Sequence, residues 1–314
     1  LFALAPIRAG CASDAVTQDE ASELLDAQSR SEYALLIGVD HFVSRADTYP
    51  SSTNNVNAMQ EVFQGALNPF RAIIVPPNPV TTVEQLTALV QKTFGAAGKN
   101  DVCYLYLSTH GVYDPASGQE PLLLLSDGQT ENGITPAQLE AAFDGILGTK
   151  VIILDACNSG AFIGKGLPSL PQEVHFLGDD FKVLTSSGAL EESWYWSVDD
   201  QNESGMAGQG SFYFTQALAQ SLSAAYGYPA DQNRDGCVVL SELYEYLVLN
   251  HAASTPQVYP QSDDFVVFRY DVSQPLPTGL ARAPIMDVTF SGTTLSRSSR
   301  QITIEFIAMR PVRV

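Results

Sequence analysis

The sequence predicts an α/β protein in which a mainly parallel sheet is covered by helices on both faces. Two observations support this fold class: short, almost continuously apolar segments recur along the chain, and amphipathic segments with helical spacing lie between them. Strands that are apolar at nearly every position are typical of parallel sheets, because both of their faces are buried. A helix between two such strands supplies the crossover that a parallel connection requires.

The strands are predicted from apolar runs rich in Val, Ile, Leu and Tyr that end near Gly, Pro or Ser. In chain order, the predicted strands are "EYALLIGVDHF" (32–42), "RAIIVPP" (71–77), "DVCYLYLSTHG" (101–111), "KVIILDAC" (150–157) and "FKVLTSSG" (181–188).

The helices are predicted where apolar residues recur three or four positions apart. Helix-start signals support the predicted helices 81–98 and 135–148, because threonines open the first of these and Thr135 precedes Pro136 in the other. The predicted helices are "NNVNAMQEVFQGAL" (54–67), "TTVEQLTALVQKTFGAAG" (81–98), "TPAQLEAAFDGILG" (135–148), "SFYFTQALAQSLSAAYG" (211–227) and "SELYEYLVLNHAA" (241–253).

The chain divides into three parts by composition. Residues 1–30 form a lead-in, residues 31–270 hold the alternating strands and helices, and residues 271–314 form a tail. The tail starts with a proline-rich linker and contains two predicted strands, "IMDVTF" and "QITIEFIAMRPV". The opening "LFALAPIRAGC" resembles the end of a secretory or lipoprotein signal interrupted by Arg8, which favours an extracytoplasmic or lipoprotein-like location and leaves the compartment open.

The charge and the cysteines exclude some classes of protein. The formal net charge is -19 over 314 residues, so we expect no nucleic-acid partner and an attraction to basic peptides and metal ions. No apolar run is long enough to predict a transmembrane segment. The 4 cysteines lie far apart without paired spacing, which argues against a zinc site and against a disulfide scaffold.

Two predicted strands end in reactive side chains. The run "YLYLSTHG" leads to His110, and "VIILDAC" leads to Cys157. Functional residues of such sheets collect at the carboxyl ends of the strands. A neighbouring imidazole makes a thiol a better nucleophile, so the pair predicts a nucleophilic cysteine with a histidine base. The alternative is a buried Cys157 and an ordinary hydrogen-bonded His110.

Gly111 adds a predicted oxyanion hole. It follows the histidine and has no side chain, so its backbone N–H can approach a substrate oxygen closely. Together with the amide of Cys157, it is predicted to supply two donors to that oxygen. This chemistry requires no cofactor.

These motifs resemble a known group of enzymes. "STHG" followed by "DACNSG" on adjacent strands is similar to the caspase-like cysteine peptidases of clan CD, which include metacaspases, clostripain-like and legumain-like enzymes, here of the bacterial type. The resemblance covers residues 31–270 and implies a caspase-like, mainly parallel six-stranded sheet flanked by helices, followed by a small C-terminal β segment. It also implies that His110 is the general base and acid, and Cys157 the nucleophile, of a thiol protease.

The predicted pocket departs from that of caspases. Caspases carry "QACRG"-like sequence at the nucleophile and bind a substrate aspartate through arginines, whereas here Asp155 replaces the glutamine and no arginine lies between Arg71 and Arg234. A carboxylate at the pocket floor would pair with arginine or lysine. Asp155 therefore predicts cleavage after basic residues, with capping of strand-end amides as the alternative. Glu191 and Glu192 are further candidates for this pocket.

A second motif predicts a calcium site. The run "DQNRDGCVVLSE", residues 231–242, fits the twelve-residue calcium-loop pattern, with Gly236 at the sharp turn. The candidate ligands are Asp231, Asn233, Asp235, the backbone carbonyl of Cys237, and Glu242. Val239 cannot position a water molecule, which weakens the ligand set. The alternative is an ion-free turn whose acids cap the next helix.

The sequence thus predicts a cysteine endopeptidase that cleaves after arginine or lysine through a thioester acyl-enzyme. Its expected partner is a peptide or protein substrate with a basic residue before the scissile bond. Two interpretations of other classes stay open. One is a catalytically silent caspase-like binding scaffold, and the other is a legumain-like peptide ligase, in which an amine replaces water at the thioester.

Overall fold

The computed structural model describes residues 30–167, 174–197, 208–251 and 253–274, and the backbone of 285–290 and 304–308. The predicted signal-like stretch lies outside these residues. Among the described residues, no helix combines the length and hydropathy needed to span a bilayer.

The strands of the described residues are, in chain order, β1 (Glu32–Gly38), β2 (Ala72–Ile74), β3 (Val102–Ser108), β4 (Gly111–Val112), β5 (Leu122–Ser126), β6 (Glu131–Ile134), β7 (Thr149–Asp155), β8 (Phe181–Thr185), β9 (Tyr195–Ser197), β10 (Gly210–Phe212), β11 (Cys237–Val239), β12 (Gln257–Tyr259), β13 (Val266–Arg269), β14 (Ile285–Phe290) and β15 (Ile304–Ala308). The α-helices are α1 (Ser51–Gln64), α2 (Val83–Phe94), α3 (Pro136–Ala141), α4 (Tyr213–Ser221) and α5 (Leu240–Asn250).

The central sheet has the strand order β12–β8–β7–β3–β1–β2. Neighbouring strands from β2 to β8 pair in parallel, and β12 runs antiparallel to β8 at one edge. The predicted fold class, a mainly parallel six-stranded sheet flanked by helices, is therefore confirmed.

Alternate residues of the central strands pack into two apolar layers on opposite faces of the sheet. In β3, Leu105 belongs to the layer that contains residues of α2 and α3, whereas Tyr104 and Tyr106 belong to the layer with α1, α4 and α5. Every residue of β3 is buried. This two-sided burial explains why the central strands are apolar throughout.

The structure adds short antiparallel pieces that the sequence analysis did not predict. After β3, the strands β4, β5 and β6 form a three-stranded sheet, and β9–β10 and β11–β13 form two-stranded ones. The segment 211–227, predicted as one helix, continues β10 at first and becomes helical only at Tyr213. In the tail, the two predicted strands are present as β14 and β15, which pair antiparallel.

The start of α1 is capped from outside the helix. Pro50 stands at the N-cap and offers no side-chain hydrogen bond. Asp40, which follows β1, instead accepts hydrogen bonds from the backbone N–H groups of Ser52 (2.9 Å) and Thr53 (2.8 Å). It also accepts from the hydroxyls of Thr48 (2.9 Å) and Thr53 (2.6 Å). A carboxylate here satisfies free N–H groups and faces the positive end of the helix dipole.

We expect Asp40→Ala to lower the free energy of unfolding by about 2–4 kcal/mol, because it leaves several buried donors without an acceptor. A matched control is Thr82→Ala, which removes the side-chain cap of α2 and should cost about 1 kcal/mol. Urea denaturation measures both. Equal losses in the two variants would contradict the role given to Asp40.

Candidate active site

The register of β3 and β7 brings the two predicted catalytic segments together. The strands pair from Val102 with Thr149 to Ser108 with Asp155, so they end level at the carboxyl edge of the sheet. Beyond this point, the backbone N–H of Thr109 donates to the carbonyl of Asp155 at 3.1 Å. Because His110 and Cys157 follow within two residues, both lie at this edge.

Gly111 lies directly against the nucleophile turn. A Cβ built on Gly111 would overlap the carbonyl oxygen of Cys157. Only glycine permits this approach of two backbones. The contact brings the residue after His110 onto Cys157 itself. The predicted role of the Gly111 amide as an oxyanion donor stays a prediction.

The imidazole of His110 is oriented by a backbone carbonyl. Its Nε2 lies 2.9 Å from the carbonyl oxygen of Ala46, and its ring packs on Phe42 with centroids 4.5 Å apart. A carbonyl oxygen only accepts, so Nε2 carries the proton and Nδ1 is left as the basic nitrogen. Burial lowers the pKa of His110, and the charge of Arg45 adds to this, although the Ala46 hydrogen bond opposes it. The imidazole is therefore neutral near pH 7.

The loop that carries Ala46 is held by three carboxylates. Asp40, at the start of the loop, accepts hydrogen bonds from Thr48 and Ser52 at its end, as described for α1. Asp47 accepts from the backbone N–H of Phe42 at 3.0 Å. Glu131, in β6, accepts from the N–H of Val43 at 2.8 Å. These bonds fix the loop, and through Ala46 they fix the histidine.

The thiol of Cys157 is half-buried and receives one backbone donor. The N–H of Ser193 points at Sγ with a separation of 3.3 Å. Burial raises the pKa of Cys157, and the negative charges of Glu192 and Asp155 add to the rise, while the Ser193 amide opposes it. Both shifts favour the neutral forms, the thiol of Cys157 and the imidazole of His110.

The residue after the nucleophile has a left-handed backbone. Asn158 has φ 58°, an uncommon value outside glycine. Its N–H donates to the carbonyl of Glu191 at 2.8 Å, and its side-chain amide donates to the carbonyl of Ala189 at 2.9 Å. The turn behind Cys157 is therefore held by the chain that follows β8.

Asp155 lies fully buried beneath the site. Its Oδ1 accepts from the hydroxyl of Ser193 at 3.0 Å, and its Oδ2 accepts from the hydroxyl and the N–H of Thr215 at 2.6 and 3.2 Å. Burial raises the pKa of Asp155 to about 6. The residue has 0% exposed surface, and Ser193 and Thr215 are its hydrogen-bond partners. Its predicted place at a pocket floor stays a prediction.

A cavity of about 520 Å³ lies between the chain that follows β8 and the loop that follows α5. Its lining includes Glu191, Glu192, Trp194, Val248 and His251. Glu192 and the indole of Trp194 are exposed, whereas the carboxylate of Glu191 is engaged by donors of the protein. The two adjacent glutamates predicted for one pocket thus stand in different environments.

The predicted calcium loop is a compact turn in the structure. Asp231 is 1% exposed, and its carboxylate accepts from the N–H groups of Arg234 (2.7 Å) and Gly236 (3.0 Å). It also accepts from the hydroxyl of Tyr270 at 2.6 Å. Glu242 accepts from the N–H of Val239 at 3.2 Å, at the start of α5. These contacts resemble the alternative to a calcium site, an ion-free turn whose acids cap the next helix.

The other candidate ligands of the loop are also hydrogen-bonded. Asp235 accepts from the N–H of Cys237 at 2.8 Å and from the side chain of Asn233 at 3.1 Å. Across the described part of the chain, no three His, Cys, Asp or Glu side chains converge closely enough to hold a metal ion. The hard oxygen donors suit Ca²⁺ in type, but the present arrangement does not fit the ion. Calcium binding therefore stays a prediction.

The fold and the site together define a class of protein, an α/β domain of the cysteine peptidase type with a cysteine and a histidine at the carboxyl edge of its sheet. Residues 31–268 match the caspase domain family. The chain belongs to this family, whose members are cysteine peptidases.

Two solved structures are similar to the chain. Caspase-1 from Spodoptera frugiperda has 18% sequence identity and a TM-score of 0.49, with 78% of this chain and 92% of that chain covered. A protein from Geobacter sulfurreducens has 14% identity and a TM-score of 0.49, with 73% and 92% covered. The family assignment rests on the sequence match and not on these structures. No curated protein sequence matches the chain.

Three residues that contact the candidate pair were missed by the sequence analysis. Ala46 acts through its carbonyl and Ser193 through its N–H, so neither side chain gives a signal. Tyr195 lies beside His110, with ring centroids 6.3 Å apart, and its hydroxyl donates to the carbonyl of Asp47 at 3.2 Å. The aromatic run "SWYWS" around it was the available signal.

We expect the rate of Cys157 alkylation by iodoacetamide to rise with pH through a pKa above the ordinary thiol value of about 8.5, because the thiolate is the reactive form. The modified residue is identified by peptide mass mapping, with Cys157→Ala as the control. A rate that is already half-maximal below pH 7 would show a thiolate–imidazolium pair instead.

Proposed function

We propose that this protein is a cysteine endopeptidase that cleaves peptide bonds after arginine or lysine, with His110 and Cys157 as its catalytic dyad. One observation carries the proposal. The backbone of Gly111, next to His110, packs on Cys157, while Ala46 holds the imidazole with Nδ1 unprotonated. A base and a nucleophile are thus presented at one edge of a rigid sheet.

The proposed reaction uses His110 as the base and Cys157 as the nucleophile. Nδ1 of His110 takes the proton of the Cys157 thiol as Sγ attacks the substrate carbonyl carbon. The amides of Gly111 and Cys157 are the proposed donors to the resulting oxyanion. His110 then protonates the leaving amine, and a thioester to Cys157 remains. Water, deprotonated by His110, attacks the thioester, releases the carboxylic acid and regenerates the thiol.

The resting charge state favours activation by the substrate. Glu192 raises the pKa of the Cys157 thiol through its charge. A cationic substrate side chain beside Glu192 would offset that charge and make the thiolate easier to form. The Ser193 N–H adds a donor to the sulfur. The thiolate of Cys157 would therefore form most readily when a basic substrate residue is bound.

Basic specificity is supported by the acids around the pair. Glu192 is exposed and lines the cavity together with the exposed indole of Trp194, and its charge acts on the Cys157 thiol. Carboxylates pair with arginine and lysine, and an aromatic face adds a cation–π contact. Asp155 contributes negative charge from beneath, through Ser193 and Thr215. In this proposal the side chain before the scissile bond pairs with Glu192, and the buried Asp155 adds to the negative potential around it.

We expect Cys157→Ala to lower kcat/KM for arginyl and lysyl peptide substrates by at least about a thousandfold, because the acyl-enzyme can no longer form. His110→Ala should cost a comparable factor. Both variants are assayed with fluorogenic peptides, and aspartyl and alanyl peptides test specificity. Unchanged turnover by Cys157→Ala would end the proposal.

Labelling and product analysis separate the other interpretations. An arginyl chloromethylketone should modify Cys157 alone, as mapped by mass spectrometry. Failure to label or to cleave any peptide would favour a catalytically silent scaffold. Joined peptides in the presence of an added amine nucleophile would favour a ligase.

We expect Glu192→Gln to reduce kcat/KM for arginyl substrates by about tenfold, equivalent to about 1.4 kcal/mol, because one charge pairing with the substrate is lost. Glu245→Gln is a matched control, since Glu245 is exposed on α5 and does not line the cavity. It should leave kcat/KM unchanged. Equal effects of the two substitutions would show only a dependence on net charge.

A further inference from the structure

The chain between β8 and β9 touches the nucleophile turn at three points. The carbonyls of Ala189 and Glu191 accept hydrogen bonds from Asn158, and the N–H of Ser193 donates to Sγ of Cys157. We call residues 188–193 the support segment. Its position sets both the turn that follows the nucleophile and the amide that faces the sulfur.

Glu191 ties the support segment to a second loop. Its Oε2 accepts from the N–H groups of Gly188 (3.1 Å) and Thr255 (2.9 Å), and its Oε1 accepts from the hydroxyl of Thr255 at 2.9 Å. Burial opposes ionisation of Glu191, but these hydrogen bonds outweigh it and lower its pKa. Both oxygens of the carboxylate are therefore committed to the protein.

The second loop is itself fixed to the central sheet. The hydroxyl of Ser254 donates to the carbonyl of Ser186, at the end of β8, at 2.6 Å. The hydroxyl has a single proton, so Nε2 of His251, 2.8 Å away, must be the donor in its own contact with Ser254. His251 is 5% exposed at the end of α5. Thr255 is thus a rigid anchor for Glu191.

We propose that Glu191 is a positioning residue for the nucleophile and not a substrate ligand. It fastens the support segment to Thr255, so that the Ser193 N–H stays on the sulfur and Asn158 keeps its left-handed turn. The proposal rests on the proposed function only in taking Cys157 as the nucleophile. It assigns the two adjacent glutamates different roles: Glu191 hydrogen-bonds within the protein, and Glu192 binds the substrate side chain.

Substitution of each glutamate is predicted to shift the pKa of the Cys157 thiol in a different direction. Removal of the Glu192 charge lowers the thiol pKa, because that charge raises it. Loss of the Glu191 contacts frees the support segment and weakens the Ser193 hydrogen bond to the thiolate, which raises the thiol pKa. The two effects have opposite signs, although both substitutions remove one negative charge.

The experiment compares Glu191→Gln with the matched variant Glu192→Gln in the full chain. For Glu191→Gln we expect kcat to fall by about tenfold or more with KM little changed, and Cys157 alkylation by iodoacetamide to shift to higher pH. For Glu192→Gln we expect KM for arginyl peptides to rise and the alkylation profile to shift to lower pH. Thr255→Val, which keeps the backbone donor and removes the hydroxyl, should show a weaker form of the Glu191→Gln behaviour.

Thermal unfolding of each variant shows whether it is folded, and the alkylation profile reads the thiol without any peptidase activity. If Glu191→Gln raises KM and shifts alkylation to lower pH, Glu191 is a substrate ligand and the proposal is overturned. If folded Glu191→Gln and Thr255→Val both match the wild type, the positioning role is also overturned. Full turnover by Cys157→Ala would instead reject the proposed function, whatever the alkylation profiles show.

Discussion

The parallel pairing of β3 with β7 is the constraint on which the site depends. The two strands end level, with Ser108 opposite Asp155, and the contact of Gly111 with the carbonyl of Cys157 continues this pairing beyond the sheet. A shift of one residue would turn every side chain of one strand to the opposite face of the sheet, so that each would pack in the wrong apolar layer. Since both faces of β3 are buried, the packing of the whole core opposes such a shift. The relative position of histidine and cysteine is therefore set by the interior of the protein.

The same region balances two electrostatic demands. Carboxylates near Cys157 would attract the cationic substrate proposed above, but they also oppose formation of the thiolate, and burial opposes it further. The backbone N–H of Ser193 is the local counterweight. A backbone donor suits this task because it adds no net charge that would repel a basic side chain. The support segment matters because it decides where this donor points.

Much of the fold followed from pattern, because the central strands are apolar on both faces and the crossover helices are amphipathic. The edge of the sheet that carries His110 and Cys157 could be predicted because the two strand-end motifs are local in sequence. The small antiparallel sheets could not be, since strands such as β4 and β9 span only 2 and 3 residues and pair through tertiary contacts. For the same reason, the roles of Ala46 and Ser193 were invisible: each acts through its backbone. Glu191 and Glu192 look identical in sequence, and only the loop at Thr255 distinguishes them.

The buried Asp155 has a consequence for the pH at which the folded protein is most stable. Its pKa is raised from 3.8 to about 6, so the folded chain binds a proton more tightly than the unfolded chain does. Stability from this group is therefore full in acid and falls as pH rises from about 4 to about 6, a loss on the order of 3 kcal/mol. Mildly acidic surroundings would thus preserve the fold, because they keep this carboxyl protonated and neutral, and below its own pKa the imidazole of His110 would become a cation. A cationic His110 could not act as the proposed base, so acid would keep the protein folded and inactive. A return to neutral pH would free the imidazole for catalysis and ionise Asp155, at a cost in stability.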